Sequence, residues 1–198
     1  MYSRLVDRAM EFSARAHEGQ HRKSSPQRTP YASHPASVAL YLGRLGCRDE
    51  VLAAALLHDV LEDTAAQPQE LSDLFGEEVL RMVQALSEPP KGQSWDARKA
   101  AWLQQLERAS GEVVLVAVAD KLHNLSGIAW ALDEAARQGQ PASSVWAPFK
   151  GGPAKTLAMG RALATLARKR SGEEPRLGAA AHALETVLAA LERHAPSA

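Results

Sequence analysis

Val51-Leu52-Ala53-Ala54-Ala55-Leu56-Leu57-His58-Asp59-Val60-Leu61-Glu62-Asp63 opens as an unbroken apolar run and closes on four ionisable side chains. Leucine and alanine are strong helix formers, and the apolar pattern carries on through Val60, so the stretch predicts a buried helix. On a helix His58 and Glu62 are four residues apart, as are Asp59 and Asp63, which puts both pairs on adjoining faces of one cavity. Burying carboxylates is costly unless something positive compensates them, and a cation is the economical partner.

The same helical spacing extends outward from this segment. Leu5, Ala9, Phe12 and Ala16 form one stripe, and Val38, Leu42 and Leu45 another. Gly19, Gly46 and Gly76 fall where helices should end, while Pro35 and Pro68 suit first helical positions, leaving His34 at a cap. Val113 to Ala119 is the one run that reads as a buried strand. With no partner strand elsewhere, and with Leu122, Leu125, Ile128 and Ala129 continuing at helical spacing, it is expected to be helix. The prediction is an all-α, compact bundle of about eight helices in one domain across residues 1–198. Two loops interrupt it. Residues 21–31 carry Arg22, Lys23 and Arg28 among polar residues and prolines, and residues 138–153 mix glycines and prolines with Trp146 and Phe149. Trp102, Trp130, Trp146 and Phe149 are expected to pack in the core or a lid.

Charge and composition exclude several classes. Lys and Arg total 23, as do Asp and Glu, so no overall field attracts nucleic acid or an anionic membrane, and any anionic ligand must be held locally. The lone Cys47 rules out an internal disulfide framework and suits a reducing cytosol as a small apolar packer. Charges at Arg4, Asp7 and Arg8 stand where a secretory signal needs apolar residues, and Val113 to Ala119 falls far short of the roughly 20 residues of a spanning helix. A cytoplasmic protein is expected.

Two further peptides supply donors for the expected cation. Ala119-Asp120-Lys121-Leu122-His123-Asn124 places an acid at the end of the second apolar run, and His34-Pro35 lies upstream. His34, His58, Asp59 and Asp120 together offer two imidazoles and two carboxylates. Such a mixed nitrogen and oxygen set accepts Mn²⁺, Fe²⁺ or Zn²⁺, and the absence of thiolates argues against a closed structural zinc site. A cation of this kind polarises a phosphoryl oxygen and acidifies water, and Glu62 and Asp63, one turn on, are placed to take the proton. These are the components of a phosphohydrolase.

The motifs occur in a familiar order. His21-Arg22-Lys23, Pro30-Tyr31, His34-Pro35, Ala54 to Asp59 with Glu62-Asp63-Thr64, Phe75-Gly76, and Ala119 to Leu125 together resemble the hydrolase domain of RelA/SpoT-type proteins, and more closely a stand-alone small alarmone hydrolase. The resemblance runs from about residue 3 to 135. It implies a helical HD-type fold that holds Mn²⁺ and removes the 3′-pyrophosphate of ppGpp or pppGpp. It also implies that His34, His58, Asp59 and Asp120 ligate the metal and that Glu62 and Asp63 activate water. Arg22 and Lys23 would line the nucleotide pocket, and Asn124 would contact the nucleoside. Three departures bear on the base: the loop Ser24 to Thr29 lacks the family's usual glycine, Ser126 stands where many relatives have arginine, and Ala158-Met159-Gly160 replaces aromatic residues. Adenosine alarmones, NADPH and nucleoside monophosphates therefore stay open as substrates. A non-catalytic nucleotide-binding regulator is the remaining alternative, opposed by the Glu62-Asp63 pair.

Overall fold

Helix–helix packing builds the whole chain in this computed structural model, which describes residues 3–22, 28–89 and 92–193. Among the described residues there are eleven helices and no strand. The first is α1 (Arg4–Ala16), where the Ser3 hydroxyl accepts a hydrogen bond from the Val6 N–H at 3.3 Å and satisfies one of the free amides of the first turn. It packs with α2 (Ser33–Arg44) on α3 (Asp49–Leu57), whose residues 53–57 are all buried.

At the centre lies α8 (Gly111–Arg137), capped by Ser110 and packed against α2, α3 and α6 (Glu77–Leu86). Val113 to Ala119 is buried along one turn after another, so the ambiguous run is helix, as its continuation at helical spacing predicts. By length and composition α8 is also apolar enough to cross a bilayer, yet half of that window is buried inside the protein. On its other side sits α11 (Arg176–Arg193), which packs on both α8 and α10 (Gly152–Lys169). α7 (Trp95–Arg108) closes one end, with Trp102 buried and its indole N–H donating to the Leu86 carbonyl at 2.6 Å. One contiguous apolar cluster runs through α1 to α11.

Four expectations need correction. The helix through His58 to Asp63 is interrupted: α3 ends at Leu57, His58 and Asp59 form a turn, and α4 (Val60–Asp63) restarts the helix. Asp59 sits at φ −98°, ψ −6°, and its carbonyl accepts from both Glu62 N–H and Asp63 N–H, which swings its side chain off the helical register. Pro35 is the third residue of α2, because the helix starts at Ser33, and His34 is inside the first turn; proline is tolerated there, where amides lack intrahelical acceptors. Trp130 is 65% exposed on α8, neither core nor lid. Finally, residues 138–153 are not simply a loop, since they contain the short α9 (Ala142–Trp146), with Trp146 buried. Pro68 does open α5 (Pro68–Phe75), and Gly76, at φ 86°, joins it to α6 in a conformation that suits glycine alone.

A fan of charges ties the far side of the bundle. Arg48, before α3, donates to Glu50, Glu78 and Glu112, so one guanidinium links α3, α6 and α8. Arg176 reaches Glu174 and Glu112 at the start of α11.

Candidate metal centre and its pocket

Three segments meet where α2, the α3–α4 turn and the middle of α8 face one another. His34 is fully buried on α2 and His58 is 5% exposed. The His58 Nδ1–H donates to the Ala55 carbonyl at 2.7 Å, leaving Nε2 as a bare lone pair in the neutral ring. Nε2 of His34 lies 3.0 Å from Asp120 Oδ1 and 3.8 Å from Asp59 Oδ2; Nε2 of His58 lies 3.0 Å from Asp59 Oδ2 and 3.7 Å from Asp120 Oδ1.

Despite those separations, neither Nε2 is aligned for a hydrogen bond, and both atoms are buried without a partner. Nitrogens and oxygens arranged this way point at a common centre instead of at one another. Ligand atoms of His34, His58 and Asp120 all lie within 4.8 Å of each other, with Asp59 on their flank. Two orphaned imidazole nitrogens beside two carboxylates fit a divalent cation, and their chemistry is that of a transition-metal site.

Electrostatics in the cluster agree. Burial pushes His34 below its ordinary value, more than Asp120 beside it can restore. Burial acts the same way on His58, but Asp59 and Asp120 overcome it and raise this imidazole well above the usual range, so that without an ion Nε2 holds a proton, which a bound cation would displace. Burial would raise the Asp120 carboxyl, and the His34 and His58 rings more than reverse that. The cluster is left with a negative charge in excess, which favours a cation.

Around the donors is a shell of contacts that sequence reading did not identify. The Tyr31 hydroxyl donates a short bond to Asp59 Oδ2, and burial together with that carboxylate keeps the phenol protonated. Tyr31 is held by its own N–H, which donates to Gln20 O, and next to it Arg22 N–H donates to Thr29 O. His123 Nδ1 faces His34 Nδ1 at 2.8 Å. Two ring nitrogens at that distance need one proton between them, and His34 must carry it if its Nε2 is to remain a lone pair. Burial first, then the neighbouring His34 and Arg22, push His123 down to about 4, so it is a neutral acceptor. Its spacing, three residues after Asp120 on a helix, was the signal available in the sequence.

The other expected residues gather nearby. Asn124 donates to Asp120 Oδ1 at 2.6 Å and accepts from Arg22 Nη2 at 2.8 Å, so the amide bridges an acid and a loop cation. Lys23 lies outside the described residues. Glu62 and Asp63 line a cavity of about 800 Å³ together with His58, Asp59, Asp120, Arg22 and Asn124. Burial first, then nearby acids, raise Glu62 to about 7, although the Glu88 N–H bond to Glu62 Oε1 at 2.7 Å opposes them. The lining also includes cations and aromatic rings: Trp95, Arg98, Lys99, Trp102, Lys121 and Phe149. A cavity of this size, lined by both acids and cations, suits a phosphorylated ligand the size of a nucleotide.

Comparison with known proteins places these features. An HD domain profile matches residues 9–153. The guanosine-3′,5′-bis(diphosphate) 3′-pyrophosphohydrolase of Aquifex aeolicus is 35% identical over 136 residues, 67% of this chain and 19% of that protein. A GTP pyrophosphokinase of Myxococcus xanthus is 33% identical over 154 residues, 73% of this chain and 20% of that protein. The chain thus spans about a fifth of the length of these curated relatives. A solved structure described as a metazoan ortholog of SpoT that hydrolyzes ppGpp superposes with a TM-score of 0.71 at 25% identity, covering 98% of this chain and 96% of that one.

Proposed function

The chain belongs to the HD domain family, and from that premise we propose that it is a single-domain, cytosolic hydrolase that removes the 3′-pyrophosphate of ppGpp or pppGpp and uses Mn²⁺. The observation that carries this reading is the pair of buried Nε2 atoms without hydrogen-bond partners set beside two carboxylates, in a cavity that also presents Arg22, Arg98, Lys99 and Lys121. The names of the relatives support the substrate class.

His34, His58, Asp59 and Asp120 would hold the ion. When bound, it would supply Lewis-acid polarisation of a phosphoryl oxygen and acidify water. Glu62, poised near 7, is close to half deprotonated at neutral pH, so it can take a proton from attacking water and surrender it again. Asp63, beside it on the cavity wall, is the second acid in reach of that solvent. Arg22, with Lys23, would meet the nucleotide, and Asn124 would hold Asp120 while offering an edge to the nucleoside. Arg98, Lys99 and Lys121 offer positive charge to phosphates remote from the cleaved bond.

The test is a panel of ppGpp, pppGpp and their adenosine counterparts with Mn²⁺ and after chelation, products separated by chromatography. Pyrophosphate release that requires metal is expected from at least one guanosine substrate. Inert substrates throughout, or orthophosphate as the product, would overturn the assignment.

A further inference from the structure

Glu88 holds an unusual position in the pocket. It follows α6, and its backbone N–H is the group that bonds Glu62. Its side chain meets cations of the lining: Arg98 Nη2 donates to Oε2 at 2.6 Å and the Lys99 ammonium bonds Oε1. These three side chains are only 15%, 21% and 17% exposed. One carboxylate therefore faces two shielded cations, with Lys121 and Lys150 lining the same cavity, and positive charge is left over.

Two observations indicate that the cations do not depend on Glu88 for their placement. Lys99 Nζ lies 5.8 Å from the Trp95 ring and 5.7 Å from the Trp102 ring, so aromatic faces hold it as well. Arg98 Nε is buried without an acceptor, so the guanidinium has hydrogen-bonding capacity that Glu88 leaves unused.

We infer that the Glu88 carboxylate is a built-in substitute for a phosphate of the ligand, and that it gives up Arg98 and Lys99 when such a group enters, which makes Glu88 a specificity-determining residue. A ligand with phosphate at this place regains the ion pairing it displaces. A ligand without one leaves Glu88 seated and gains nothing from these cations. The idea rests on the proposed function for the class of ligand, a nucleotide with phosphate away from the scissile group, but its test does not require turnover.

Wild type and Glu88→Gln are titrated with guanosine 5′-diphosphate and with guanosine, following the fluorescence of Trp95 and Trp102, which line the pocket. Glutamine keeps the backbone N–H to Glu62 and nearly the shape of the side chain. Glu88→Gln should bind the diphosphate about tenfold more tightly, the scale expected for removal of one shielded competing charge, with guanosine changed less than about twofold. Unchanged or weakened diphosphate binding overturns the inference, since Glu88 would then be holding the cations in place. If Glu88→Gln does not fold, Lys99→Met gives the reciprocal measurement: diphosphate binding should weaken about tenfold while guanosine holds, and equal losses for both would overturn it. Failure of the wild type to hydrolyse ppGpp would remove the proposed reaction and leave this binding comparison intact.

Discussion

His34 and Glu62 show how much burial decides at single positions. His34 is wholly enclosed and keeps a bare Nε2 because its proton sits on Nδ1, where His123 Nδ1 accepts a hydrogen bond from it. His123→Leu removes that acceptor and should weaken Mn²⁺ binding about 10–100-fold by calorimetry, whereas His123→Gln, which can still accept, should retain most of the affinity. For Glu62, the folded protein raises the carboxyl from 4.5 to about 7. An acid raised in this way stabilises the fold fully below its unfolded value, and that contribution disappears as pH climbs through 7. In chelated protein, Glu62→Gln should therefore melt like the wild type near pH 4.5 and be the more stable above pH 7, by an amount on the order of 3 kcal/mol. With metal and ppGpp the same variant should lose about 10²–10⁴-fold in turnover, read as pyrophosphate released. The convergence of His34, His58, Asp59 and Asp120 was legible because acids and imidazoles stand out against apolar helices. Tyr31, Glu88, Arg98 and Lys99 were not, because each acquires its role from a segment distant in the chain.

At the level of helices, periodicity and punctuation made the architecture readable, including the long α8. What escaped was the break at His58 and Asp59, which contains neither glycine nor proline and is set by tertiary contacts that draw both side chains toward α2 and α8. Trp130 is a different case: five residues from Leu125 and two from Ile128, it lies on the other side of α8 from that buried stripe, and it is exposed. The junction of α8 with the residues entering α11 is tight. A Cβ on Gly111 would stand 2.6 Å from Glu174 Cβ, close to the backbone, where there is little freedom to give way. Gly111→Ala should therefore cost about 1–3 kcal/mol in urea denaturation while leaving Mn²⁺ affinity unchanged, because the candidate ligands, residues 34, 58, 59 and 120, lie away from this junction.

Across the whole molecule, balanced charge conceals a local concentration of it, since acids and cations crowd into the lining of one cavity. Composition could exclude a global field but could not reveal that crowding. Binding of an ion at the candidate metal centre should also stabilise the fold: at a concentration one hundred times its dissociation constant, Mn²⁺ should add about 2.7 kcal/mol, seen as a chelator-reversible rise in melting temperature that Asp120→Asn lacks. The donors come from residues 34, 58–59 and 120, on elements that enclose the core. An ion shared among them staples together chain segments far apart in sequence, much as a cross-link would. A cell starved of transition metal would then hold this chain in a looser form, open to proteolysis, and the amount of enzyme surviving would itself become a gauge of metal supply.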